Sequence, residues 1–162
     1  MLFRSEAGYD GEVLKLVSTR DYQHYYDSSV VIKEQLEKLG MNVELEVYDW
    51  PTLIDLIKED DAWHMRVNGC TFKGDPTQIL YLDASSSGMI EDERINDAMN
   101  IFEDAEDEEE AKAEWEDLQE YLWAELLPVT KLGSYVGLYA LADNVEGFIY
   151  SHGSQFWNVS VD

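Results

Sequence analysis

At 162 residues the chain has room for one domain with an ordinary core, and 45% apolar residues support a globular fold. Eleven Lys and Arg stand against 35 Asp and Glu, a net charge of −24 that repels phosphate backbones and anionic lipid; nucleic-acid and membrane-surface partners are therefore not expected. No apolar run approaches the roughly 20 residues of a membrane-spanning helix, and the opening MLFRSEAGYDG lacks the unbroken apolar stretch of a secretory signal.

In chain order, Leu14 and Leu16 alternate with Lys15 and Val17 and predict a short first strand. Asp27 or Ser28 is the expected cap of a helix whose apolar face is Val31, Ile32, Leu36 and Leu39, with Gly40 as its left-handed stop. Val43, Leu45 and Val47 alternate with Glu44 and Glu46, a strand with one buried face. Asp49 ahead of Pro51 marks a helix start, and Leu53, Ile54 and Ile57 supply its apolar side. His64-Met65-Arg66-Val67 is the expected third strand, and Asp75-Pro76 opens a short helix through Ile79, Leu80 and Leu82.

Ser85–Gly88 then reads as a connector. Ile95, Met99 and Phe102 mark one helix; Ala111, Trp115, Leu118, Leu122 and Leu126 mark a longer one that Pro128 ends, with Glu114, Asp117 and Glu125 expected outside. Val129–Leu132 and Tyr135–Leu141 read as extended segments separated by Gly133. Strands alternating with helices argue an α/β fold with a mixed sheet.

The residues carry little chemistry. There is no GxSxG, HExxH, phosphate-cradling glycine loop, paired CxxC or EF-hand spacing, so neither enzyme activity, nor a cofactor, nor a metal is expected. Cys70 is the single cysteine; His24, His64 and His152 form no recognisable nucleophile arrangement with it, and a buried thiol filling a small gap is the expected role. The acid surplus, concentrated in EDAEDEEE at Glu103–Glu110, reads as a solvated surface, with attraction of cationic ligands as the alternative.

AGYDG at Ala7–Gly11, LEKLGMNVELEVYDW ending at Trp50, the Gly74-Asp75-Pro76 turn, VEGF at Val145–Phe148 and FWN at Phe156–Asn158 occur in an order that resembles the C-terminal part of the family 5 extracellular solute-binding proteins. These are the peptide- and nickel-type receptors of ABC importers. The resemblance implies a lobe of a type II periplasmic-binding-protein fold, a mixed sheet flanked by helices. It also implies that 1–133 is an incomplete C-terminal ligand-binding lobe, and that 134–162 is a return segment packing on an absent N-terminal lobe. The expected partners are a peptide or another small solute and, through the full-length receptor, an ABC permease. The location implied is extracellular or periplasmic, as a cell-surface lipoprotein, with signal and first lobe missing here.

The ligand-binding residues expected on this basis are Trp50, Arg66, Asn68, Gly69, Cys70, Thr71 and Phe72. Trp50 heads the strand-to-helix turn, where the resemblance turns an aromatic toward the cleft; a staple on its own helix is the other reading. Arg66 is expected in a structural ion pair or on a ligand carboxylate. Where peptide-binding members carry a Trp and an Asp ahead of Asp75-Pro76, this chain has Gly69 and Phe72. The charge that anchors a peptide α-ammonium is thus absent there, and a sugar or another neutral ligand fits the same loop. The rival reading is a free-standing acidic α/β interaction module that binds proteins through its Trp- and Tyr-rich tail.

Overall fold

A computed structural model of the chain describes residues 8–59, 61–71, 73–83, 85–86, 91–105, 107–134, 136–150 and 153–161. The protein is α/β and divides into two compact units, one ending at Gly69 and one beginning at Cys70.

In the first unit β1 (Val13–Thr19), α1 (Gln23–Lys38), β2 (Asn42–Tyr48), α2 (Trp50–Leu56) and β3 (Met65–Arg66) follow one another, and the strands form a parallel sheet in the order β2-β1-β3. A helical crossover after β1 and another after β2 bring the next strand back in the same direction. The expected mixing of strand directions within one sheet is not found here; antiparallel pairs belong to the second unit.

From Leu16 to Thr19 β1 is buried on both faces, as a central strand is where helices cover it. Val17 packs on Leu53 of α2 and on Ile57 at its C-cap, while its neighbour Ser18, on the opposite face, meets Ser29 of α1 at 3.0 Å between hydroxyl oxygens. Ser29 donates to the Tyr25 carbonyl at 2.7 Å, so the Ser18 hydroxyl supplies the proton between the two serines. The backbone N–H of Lys15 donates to His64 Nδ1 and the His64 N–H to the Lys15 carbonyl, both at 3.0 Å, which extends the β1–β3 pairing past the ladder.

Two expectations for α1 are corrected. The helix begins at Gln23 after Tyr22, which makes no side-chain cap bond, whereas Asp27 lies on the helix and accepts from Gln23 Nε2. Its first turn is held by ring packing instead. Val31 and Leu39 are 51% and 64% exposed, and the side turned inward runs through Tyr25, Ser29, Ile32 and Leu36. Gly40 ends the helix at φ +80°, as expected. Asp49 caps α2, accepting from the Thr52 N–H at 3.1 Å and the Thr52 hydroxyl at 2.9 Å, with Pro51 in the first turn.

The second unit opens with two 3-10 turns, Pro76–Gln78 and Leu80–Leu82, in place of one short helix. Two helices come next, α3 (Glu93–Asp104) and α4 (Glu108–Tyr121), the latter continuing as a π-turn through Leu122–Leu126. Leu82, Ile95, Ala98, Leu118 and Leu122 form its core, edged by Met99, Phe102 and Trp115. Asp92 caps α3 through the Ile95 N–H and accepts from the Tyr121 hydroxyl, tying the start of one helix to the end of the other. Glu114, expected outside, is drawn in by Arg94, which bridges it and Asp117.

Beyond Pro128, Val129–Leu132 and the described part of 135–141 form no strand. β4 (Val145–Glu146) pairs with β7 (Ser160–Val161), and inside that pair β5 (Ile149–Tyr150) meets β6 (Ser154–Gln155), both antiparallel. Gly147 makes this nested hairpin possible: it sits at φ +74°, and a Cβ there would lie 1.8 Å from the Asn158 carbonyl oxygen. Among the described residues no helix is long and apolar enough to cross a membrane.

Candidate functional site

In the order β2-β1-β3 the chain leaves β1 on one side and returns on the other, so the strand order reverses between β1 and β3. Open α/β sheets bind ligands outside the carboxyl ends of their strands at such a point. The segments that emerge there are Arg20-Asp21-Tyr22 after β1 and Val67-Asn68-Gly69 after β3, with Asp49-Trp50 leaving β2 alongside.

Their side chains and backbone are joined. The Tyr22 and Trp50 rings meet edge to face at 4.9 Å between centroids and 81° between planes; Tyr22 and Tyr25 lie 5.2 Å apart, Tyr25 and Trp50 6.5 Å. His24 stands 4.4 Å from Tyr25. The Trp50 N–H donates to Asp21 Oδ2 at 2.7 Å, and the Gly69 N–H donates to the Tyr25 hydroxyl at 2.9 Å. A Cβ on Gly69 would fall 2.5 Å from that hydroxyl oxygen, so only glycine seats the loop this closely on the ring. Trp50 and the start of the Asn68 loop therefore share one edge of the sheet, linked through Tyr25.

The rings stand at 39–81° to one another and together present a contiguous, faceted aromatic platform, with Tyr22 and His24 exposed and Trp50 half-buried. Such a surface buries ligand area at low rotamer cost. Around it stand the Asp21 carboxylate and the exposed Asn68 amide. Arg20 is directed away, its guanidinium lying 4.5 Å over the Tyr26 ring and donating to the Tyr26 hydroxyl.

Of the expected site residues, the structure brings Trp50 and Gly69 onto this platform and places Asn68 at its margin. Arg66 lies on β3, half-buried, with its guanidinium 5.4 Å over the Trp63 ring. Cys70 and Thr71 belong to the second unit and are exposed. The expectation of a buried Cys70 is thus corrected: β3 ends at Arg66, and the chain runs on as loop outside the sheet interior. Burial, and then the nearby Cys70, pushes the Tyr81 hydroxyl above its ordinary range. Phe72 lies outside the described residues.

Sequence reasoning missed Tyr22, His24 and Tyr25 because it placed them before the helix. Their signal was present: Tyr22 and Tyr25 are three positions apart immediately after a strand, the spacing that stacks side chains on one side of a first helical turn.

On the second unit, Glu116, Gln119, Glu120, Trp123 and Ala124 line a shallow open groove that includes part of the π-turn. No protein-family model matches the chain.

Proposed function

We propose that this chain is a ligand-binding lobe of an ABC-importer solute receptor, with no catalysis of its own, and that the platform of Tyr22, Tyr25 and Trp50 is its half of the ligand cleft. The observation that carries this reading is the meeting of the loops after β1, β2 and β3 at the strand-order reversal. The arrangement of motifs that resembles family 5 solute-binding proteins supports it independently. A two-lobed receptor closes because the ligand touches both lobes only in the closed state, and that difference in affinity shifts the population. Aromatic faces with one carboxylate and one amide at their margin suit a ligand with an apolar ring face and hydroxyl or amide edges. Among the described residues of this edge the second carboxylate, Asp49, is committed to capping α2 and is not placed for a peptide ammonium group. By the same reading the full-length receptor is extracellular or periplasmic, anchored as a lipoprotein, and delivers its solute to a permease.

The test is a thermal-shift screen of the full-length receptor against neutral sugars, short peptides and metal ions. A bound solute at about 100 times Kd adds roughly 2.7 kcal/mol to the folded state. We expect one solute class to raise the melting temperature and Trp50→Ala to abolish that rise. A rise that persists in Trp50→Ala places the ligand elsewhere and overturns the assignment.

A further inference from the structure

The hairpin from Val145 to Val161 and the segment leading into it expose several large apolar side chains, and clustered apolar exposure marks interaction surfaces. Val136 is 82% exposed, Leu138 92%, Phe156 67% and Trp157 78%. Tyr139, Phe148, Tyr150 and Phe156 run together as one aromatic surface, with ring centroids 4.9–5.9 Å apart along the chain of contacts. Ile149, next to Tyr150 on the strand, faces the other way and is also exposed. Both ladders are two residues long. A two-stranded ribbon this short is marginal in water unless something covers a face.

The distribution of charge selects the cover. From Ser134 to Val161 the sequence has two carboxylates, Asp143 and Glu146, and no Lys or Arg, whereas α3, α4 and the turn between them are crowded with acids. A basic partner would be drawn to those helices and an anionic one repelled from the whole molecule. The ribbon, sparse in charge, fits a mainly apolar surface, and another copy of the same ribbon is one. Tyr139, Tyr150, Phe156 and Trp157 are 52–78% exposed. They offer somewhat over half of the ~150–250 Å² that each such side chain can bury, and the exposed aliphatic residues of the same segment must supply the rest of the ~800 Å² per partner that a stable interface needs.

We propose that this chain pairs with a second copy through the ribbon, around a two-fold axis so that the same patch serves both, and that ionic strength gates the pairing. Two bodies of charge −24 repel over about 30 Å at 0.01 M salt but over only about 3 Å at 1 M. The resemblance behind the receptor reading gives this face to a missing lobe instead, so self-pairing rests on the exposed ribbon alone and competes with that part of the receptor reading.

Sedimentation velocity on the full chain tests it, at about 0.01 M and about 1 M sodium chloride. The expected result is monomer at low salt and dimer at high salt. Tyr150→Lys or Phe156→Lys should weaken pairing at least about tenfold, as loss of a central aromatic contact does, with the helical circular-dichroism signal retained. Val31→Lys, on exposed α1, should pair like the parent chain. In the parent at high salt, hydrogen exchange at the Tyr150 and Gln155 amides should slow as protein concentration rises. Monomer throughout, a dimer indifferent to the ribbon substitutions, or open-ended aggregates in place of a dimer would each overturn the proposal.

Discussion

Asp49 secures the start of α2 twice, through the backbone N–H and through the hydroxyl of Thr52. Those bonds favour its charged form and hold the carboxyl below its ordinary value, the backbone bond contributing most. A group whose folded pKa is depressed lends stability above its unfolded pKa, about 3.9 for aspartate, and loses it as pH falls through the folded value. Asp49→Ala should therefore melt lower than the parent at neutral pH, and the gap should close as pH is taken below about 4. Thermal denaturation of both proteins across that range checks it; a gap that stays constant with pH would show that the cap works without its charge. Asp49 was legible in the sequence because a cap and a first-turn proline are local. Cys70 was not, because its exposure depends on where β3 stops pairing with β1, a contact between distant parts of the chain.

The pair α3 and α4 marks the reach of periodicity and its limit. Spacing of three and four residues picked out Ile95, Met99 and Phe102 on one helix and Leu118 and Leu122 on the other, and these meet in the core. Leu118 is fully buried, so Leu118→Ala should cost about 2–5 kcal/mol, the outcome depending on how far Ile95 and Ala98 close the cavity. Chemical denaturation reads this directly, and a loss under about 1 kcal/mol would mean the helix pair is loosely packed. Trp115 is only half-buried, edge-on to Phe102 at 6.1 Å, and should cost less than a fully enclosed ring. Glu114 escaped the periodic reading because Arg94, on the other helix, drew it inward. The start of α1 escaped it too, since ring packing of Tyr22 on Trp50 replaces the side-chain cap that a sequence can display.

For the molecule as a whole, 35 carboxylates against 11 basic groups leave repulsion that the ion pairs of Lys33, Lys58, Arg94 and Lys112 do not neutralise. Stability should rise as salt shortens the screening length to about 10 Å at 0.1 M and less beyond it. Melting temperatures in sodium and choline chloride separate screening from specific cation binding: equal rises mean screening, and a flat or falling curve in both would mean the acids are too far apart to matter. The α/β class was readable from alternating strand and helix signals, as was the cluster of loops at one sheet edge. The aromatic platform itself was only half readable, because Tyr25 reaches Gly69 across 44 residues of chain.

That long reach sets an order of assembly. The β1–β2 pairing draws only on residues up to Tyr48, whereas the third strand needs Met65 and Arg66 on the far side of β1. A nascent chain can therefore hold β1, α1 and β2 together while its Tyr25 hydroxyl still faces water. The Tyr25–Gly69 bond cannot form until Gly69 has left the ribosome, so this candidate binding edge cannot be complete before the whole of its unit has been synthesised.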